Sequence, residues 1–243
     1  MILYVNGDSH SAGAELYRCA DGKLVSFTED DSQYWGTIGT IDGGYAHPEC
    51  LKLSYGQHLA THLELDLVCD AVSGSSNDRI LRTTGDYLKY GFEPDLIVIG
   101  WSTWEREEWE HDGKYWQVNA SGIGHDWPDE IVTRYRDWIV NLDYHQMMLA
   151  QHEKIYAFHR QLETMGIPHL FFTCFQEFSG VNPCNWNHHY IEPYDPNFTY
   201  YNWARAQGFK TVRPDGYHFG SDAHQAWAEF LYHSYINQIL LRK

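Results

Sequence analysis

The sequence predicts an α/β chain, a three-layer α/β/α sandwich around a parallel sheet. Four short apolar runs, residues 2–6, 65–72, 95–100 and 169–174, are continuous rather than alternating, the pattern of strands buried on both faces. Helix-like segments separate them, and strand–helix repetition calls for parallel pairing with helices above and below the sheet. Three stretches rich in Gly, Trp, Tyr, Asn, Asp and Pro, about 20–47, 104–130 and 176–213, are too long for ordinary connections and read as insertions beside the strand ends. The chain has 243 residues, with no repeat and no linker-like tract. That length suits one domain able to bury a core without disulfide or metal staples.

Each helical segment has its own signal. Residues 49–62 carry Leu51, Tyr55, Leu59 and Leu63 at four-residue spacing, one face of a helix. Residues 76–90 follow with Ile80, Leu81, Tyr87 and Leu88. Residues 143–165 form a long amphipathic pattern stopped by Gly166 and Pro168. Residues 221–241 close the chain as an apolar helix with Ser221-Asp222 as its expected N-cap.

Composition excludes several function classes. Lys and Arg total 17 against 33 Asp and Glu, a net charge of −16 with His neutral. A nucleic-acid binder needs a basic face, and an anionic membrane surface would repel this chain. No run approaches the ~18 apolar residues of a membrane span. The N-terminus lacks the basic and apolar regions of a secretory signal, so a cytoplasmic location is expected, with virion association also compatible. The five cysteines, Cys19, Cys50, Cys69, Cys174 and Cys184, are odd in number and form no CxxC pair, which suggests neither a disulfide framework nor a zinc site. No cofactor and no metal are expected.

Two motifs carry chemistry. Asn6-Gly7-Asp8-Ser9-His10-Ser11 follows the first strand, where a serine on a sharp turn is exposed at the sheet's carboxyl edge. Pro214-Asp215-Gly216-Tyr217-His218-Phe219 precedes the last helix, and an Asp three residues from a His can orient an imidazole that takes a proton from a serine. The alternative for each is a turn: Asp-Ser as a helix cap, Asp-Gly as a surface bend.

Together these motifs resemble the GDSL/SGNH hydrolase family. Ala71-Val72-Ser73-Gly74-Ser75-Ser76-Asn77 after the second strand and Ile99-Gly100-Trp101-Ser102 after the third resemble that family's intermediate blocks, in the same order. The resemblance spans the chain as a single SGNH-hydrolase-like domain and implies a flavodoxin-like sandwich. It implies Ser9 as nucleophile, His218 as general base, Asp215 as the group orienting His218, and the N–H groups of Ser9 and Gly74 as oxyanion donors. Asp8 would fix the turn. The third block departs from the family, with Ser102 where Asn is usual, so Asn77 or Ser102 would supply the side-chain donor. The implied function is a serine esterase or acyl hydrolase cleaving an oxygen ester, for example of an acetyl or short acyl group on a carbohydrate, through an acyl-enzyme, with a small-molecule or glycan substrate. The alternative is an SGNH-fold glycan-binding module with little or no turnover.

Among the aromatic insertions, Trp101 and Trp104 are the candidate substrate contacts, since rings beside polar groups stack on sugars; the competing reading is satellite packing clusters. Glu105 and Arg106 could form a local ion pair. A metal reading of Asp8, His10, Asp215, His218, Asp222 and His224 is weaker. Gly-Asp-Ser-His resembles the first block of calcineurin-like metallophosphoesterases, but the later Gly-Asp-x-x-Asp and Gly-Asn-His-Asp blocks do not occur. His224 reads as a packed or capping histidine.

Overall fold

A computed structural model describes residues 1–16, 48–122 and 126–241. The elements run β1 (Ile2–Gly7), α1 (Pro48–Leu51), α2 (Tyr55–Leu63), β2 (Asp66–Cys69), α3 (Asn77–Lys89), β3 (Leu96–Trp101), β4 (Glu107–His111), β5 (Lys114–Val118), α4 (Asp129–Val140), α5 (Tyr144–Met165), β6 (His169–Thr173), α6 (Tyr200–Ala206), α7 (Ser221–Leu231) and α8 (Asn237–Leu240). The central sheet is parallel, in the order β2-β1-β3-β6.

Strand alternation sorts the apolar runs into two cores. Leu3, Val5, Leu96, Val98, Leu170 and Phe172 face Tyr55 and Leu59 of α2 and Trp227 and Leu231 of α7. Tyr4, Ile97, Ile99 and Phe171 face Ile80 of α3 and Ile155, Phe158 and Leu162 of α5. Both faces are covered, which is the three-layer α/β/α sandwich and the reason the strands read as unbroken apolar runs.

Caps set the helix starts. Ser76 and Asp143 accept main-chain N–H groups of α3 and α5, and Gly166 ends α5 in a left-handed conformation. The 49–62 pattern is broken in two, because Ser54 ends one turn by donating to Leu51 O and starts α2 by accepting from Gln57 N. Strand β2 is shorter than expected and only partly buried, as befits a sheet edge. The last helix begins at Gly220 without a side-chain cap, Asp222 instead binding the adjacent Ala223 N–H, and passes through a wider turn at Tyr232–Ile236 before α8.

The insertions are partly ordered. Within 104–130 lie the β4–β5 hairpin and the start of α4, which the sequence pattern does not foresee; Trp109, Val118, Ile131 and Tyr135 form a satellite core between them. Within 176–213, residues 189–191 run along β6, with Phe171 N–H donating to His189 O and Ile191 N–H to Phe171 O, so that edge is covered. The first insertion, 20–47, and Cys19 lie outside the described residues. Among the described residues no helix is long and apolar enough to cross a membrane.

Candidate active site

The site forms where β1, β2 and β3 end. Gly7 and Gly100 are register partners there, and neither tolerates a side chain. A Cβ on Gly7 would lie 2.2 Å from Ser11 Oγ, and one on Gly100 2.7 Å from both Ser11 Oγ and the Phe172 ring. Gly7 also has a φ of +154°. The space they leave holds Ser11, whose Oγ accepts from Tyr55 OH at 2.8 Å. The chain turns sharply beyond, with Ala12 N–H on Asp8 O and Ala14 N–H on Ser9 O, both at 2.9 Å. Ser9 sits on this turn and is buried, 7% exposed, rather than open at the sheet edge as the sequence suggests.

His218 approaches from the loop before α7. Val212 N–H donates to His218 O, and Thr211 bridges Phe219, so the loop closes on itself. The ring of His218 lies 5.0 Å from that of His10, the neighbour of Ser9. Its Nδ1 is 2.9 Å from Oε2 of Glu15. Glu15 is 1% exposed, adopts a left-handed φ of +69°, and holds Arg213 Nη2 at 2.8 Å through Oε1. The carboxylate beside His218 is therefore Glu15, not Asp215. Asp215 occupies the exposed bend Arg213-Pro214-Asp215-Gly216, closed by Gly216 N–H on Arg213 O. Pro second and Gly fourth are turn residues, which is why this Asp ends at a loop tip. The one signal for Glu15 was its isolation: it is the only charged group between Ser9 and Leu16, in a run of small residues.

His10 is buried against Phe175, Tyr200 and His218, and neither ring nitrogen has a hydrogen-bond partner among the described residues. Burial, then the neighbouring His218 and Arg106, holds it well below the usual histidine range, hence neutral. His224 is also buried and held low, by desolvation first. Its Nδ1 accepts the Tyr55 N–H at 3.1 Å, so it caps α2 as expected of a packed histidine. Among the described residues no group of three or more His, Cys, Asp or Glu is arranged to hold a metal ion.

The expected oxyanion donors divide. Gly74 has a φ of +80° in a turn closed by Ser75 N–H on Val72 O, and Val72 N–H donates to Gly7 O at 3.2 Å. That bond ties the Gly74 turn to the end of β1. Neither Gly74 N–H nor Ser9 N–H has an acceptor among the described residues. Ser102 and Asn77 are otherwise engaged. The Ser102 hydroxyl donates to Asp8 Oδ2 at 3.0 Å, while Asn77 accepts Ser102 N–H at 2.8 Å and donates to Ser102 O at 3.3 Å. A hydroxyl has a single proton, so Ser102 has none left for a substrate. Asp8 also accepts His10 N–H at 3.0 Å, which fixes the turn as expected.

Arg106 pairs with Asp8 at 3.4 Å rather than with Glu105, which accepts from Gln176. Trp101 and Trp104 are not substrate contacts. Trp101 is wholly buried against Phe158 and Phe171, and Trp104 is 4% exposed and stacked on Phe178. Both belong to the core because strand β3 and its first turn carry them under α5. A cavity of about 510 Å³ opens beside the site instead, lined by Arg106, Glu105, Gln176, Phe175 and Tyr217.

No family model and no curated protein matches the chain. Several solved structures are similar to it. One is a carbohydrate esterase family 2 enzyme with a carbohydrate-binding domain from Corynascus thermopiles (Myceliophthora fergusii), at 17% identity and a TM-score of 0.44, covering 98% of this chain. A second is a carbohydrate esterase whose active site is described as having divergent catalytic and non-catalytic binding functions, at 17% identity, a TM-score of 0.43 and 100% coverage of this chain. A third is an acetyl xylan esterase from the rumen bacterium Butyrivibrio proteoclasticus, at 12% identity, a TM-score of 0.45 and 96% coverage. The chain spans 66%, 65% and 64% of those three chains.

Proposed function

We propose that this protein is a serine esterase that cleaves an acetyl or short acyl ester, on a carbohydrate, through Ser9, His218 and Glu15. The observation that supports it is the 2.9 Å contact between His218 Nδ1 and the buried Glu15 carboxylate, on the turn that carries Ser9. A carboxylate at Nδ1 holds the imidazole in the tautomer whose Nε2 is a base, and it stabilises the imidazolium formed when that nitrogen takes a proton.

Ser9 Oγ attacks the ester carbonyl carbon as its proton passes to His218 Nε2. The carbonyl oxygen becomes an oxyanion held by the Ser9 and Gly74 N–H groups, whose free donors support this role. The imidazolium returns the proton to the alcohol oxygen, the C–O bond breaks, and the alcohol leaves. Water then attacks the acyl-serine with His218 again as base, and the acid departs. Glu15 stays ionised throughout, bridged to Arg213 on its other oxygen.

Labelling by a fluorophosphonate probe, with release of acetate from acetylated xylan, the substrate class named by a solved enzyme of similar fold, tests the reading. Wild-type labelling lost in Ser9→Ala and His218→Ala is the expected result. A folded wild type that neither labels nor releases acetate, yet binds the glycan, would establish the binding-module alternative.

A further inference from the structure

Arg106 touches all three strand ends that make the site. Its Nη1 lies 2.8 Å from Ser102 Oγ, 3.4 Å from Asp8 Oδ2 and 3.5 Å from Ser75 O. Asp8 precedes Ser9 and Ser75 follows Gly74, so the guanidinium sits against the neighbours of both main-chain donors. It is partly exposed and is the one cation among the described residues lining the 510 Å³ cavity. A guanidinium has five N–H groups. The contacts above use only Nη1, and the Nε and Nη2 protons have no acceptor among the described residues.

We propose that Arg106 is the side-chain donor of the oxyanion site, donating from its remaining N–H groups to the oxygen that gains charge when Ser9 attacks. This rests on the esterase reading above. The position fits: Ser102 stands where a donating side chain was expected, its proton goes to Asp8, and Arg106 reaches past it into the cavity. Asp8 has a second consequence here. Its carboxylate holds Nη1 in place, so the rest of the planar group is presented in one orientation rather than as a mobile point charge. Glu105 also lines the cavity, but its carboxylate accepts from Gln176 and, among the described residues, forms no ion pair with Arg106.

The test is steady-state hydrolysis of 4-nitrophenyl acetate by Arg106→Lys and Arg106→Gln, with folding checked by circular dichroism. The expected result is a fall in kcat of roughly 10²–10³-fold with KM changed less than about threefold, the mark of a contact made in the transition state. Lysine, which keeps the charge beside Asp8 but loses the planar fork, is expected to recover little. Guanidinium added at a sub-denaturing concentration is expected to restore part of the activity of Arg106→Ala. Should Arg106→Gln fail to fold for want of a counterion to Asp8, comparing Asp8→Asn with Asp8→Asn/Arg106→Gln gives the readout, because the loss of the Asp8 charge is common to both. A kcat retained by Arg106→Lys, or a loss confined to KM, overturns the assignment. An inert wild type overturns the esterase reading itself, whereas Ser9-dependent turnover that ignores Arg106 overturns this inference alone.

Discussion

Glu15 Oε2 and His218 Nδ1 meet at 2.9 Å although 203 residues separate them. Glu15 holds this position in a left-handed conformation that a residue with a Cβ adopts at a cost, and such strain persists where the surroundings over-determine it. Two partners do so, His218 on one oxygen and Arg213 on the other. Glu15→Gln is expected to lower kcat/KM by roughly 10²–10⁴-fold, because the amide can present N–H to Nδ1 and favour the wrong tautomer. Asp215→Asn is expected to stay within about threefold. Kinetics of both variants on one ester decide it, and the reverse ranking would return the role to Asp215.

The aromatic rings part into core and surface in the same way. Tyr217 is 62% exposed at the cavity, next to His218. If the proposed sugar-ester reading holds, Tyr217→Ala raises KM for acetylated oligosaccharides several-fold while leaving 4-nitrophenyl acetate nearly unchanged, since the small ester needs no sugar platform. Trp101→Ala should instead cost about 3–5 kcal/mol of stability, the usual consequence of emptying a buried aromatic site. Parallel kinetics and urea melts separate the two effects.

The glycine pair under the site admits no substitution. At Gly100 an added methyl would meet the Phe172 ring, 2.7 Å away, and Ser11 Oγ at the same distance. Gly100→Ala is expected to destabilise by roughly 1–3 kcal/mol through overpacking. Gly7→Ala should cost more, because its φ of +154° is also unfavourable for alanine. A urea midpoint equal to wild type in either variant would show that the sheet end yields more readily than its contacts imply.

Acid should weaken the fold before it reaches the carboxylates. His169 Nδ1 lies 2.8 Å from Ile167 O and must donate, so its Nε2 accepts from His159 Nδ1 at 2.9 Å. Burial foremost, against the pull of Glu163, holds His159 down to about 4. Burial, aided by His189 and His159, holds His169 down to about 3. The unfolded chain protonates both near 6.5, so from there down to about 4 it binds more protons than the folded chain. Stability is therefore complete above about pH 7.5 and falls as pH drops through that window, at up to ~1.4 kcal/mol per pH unit for each histidine. His10 and His224, also held low, act in the same direction. Urea melts at pH 7.5, 6 and 5 measure the slope, and a flat midpoint would contradict it.

Much of this was legible locally. Continuous apolar runs marked the four strands of the central sheet, because a strand covered on both faces needs no polar alternation, although at the edge strand β2 the run overstates the length. Ser76, Asp143 and Gly166 marked helix ends through their own hydrogen bonding and conformational freedom. The β4–β5 hairpin and α4 were not legible, since Trp109, Trp116 and Trp138 serve a small separate core whose partner surface is not adjacent in sequence. The exchange of Asp215 for Glu15 beside His218 has a related origin. Asp215 stands near His218 in the chain, whereas Glu15 stands near it in space.

The sequence by itself determined the layered α/β architecture and the turn that bears Ser9, because periodicity, caps and a glycine without room for a side chain act over a few residues. Only the tertiary structure decided that Glu15 lies against His218, that Asp8 and Arg106 engage Ser102, and that Phe175 and Tyr217 rather than Trp101 and Trp104 face the cavity. Those pairings depend on how three loops fold over the same sheet edge. Their geometry is set by packing between segments up to two hundred residues apart, which no local pattern encodes.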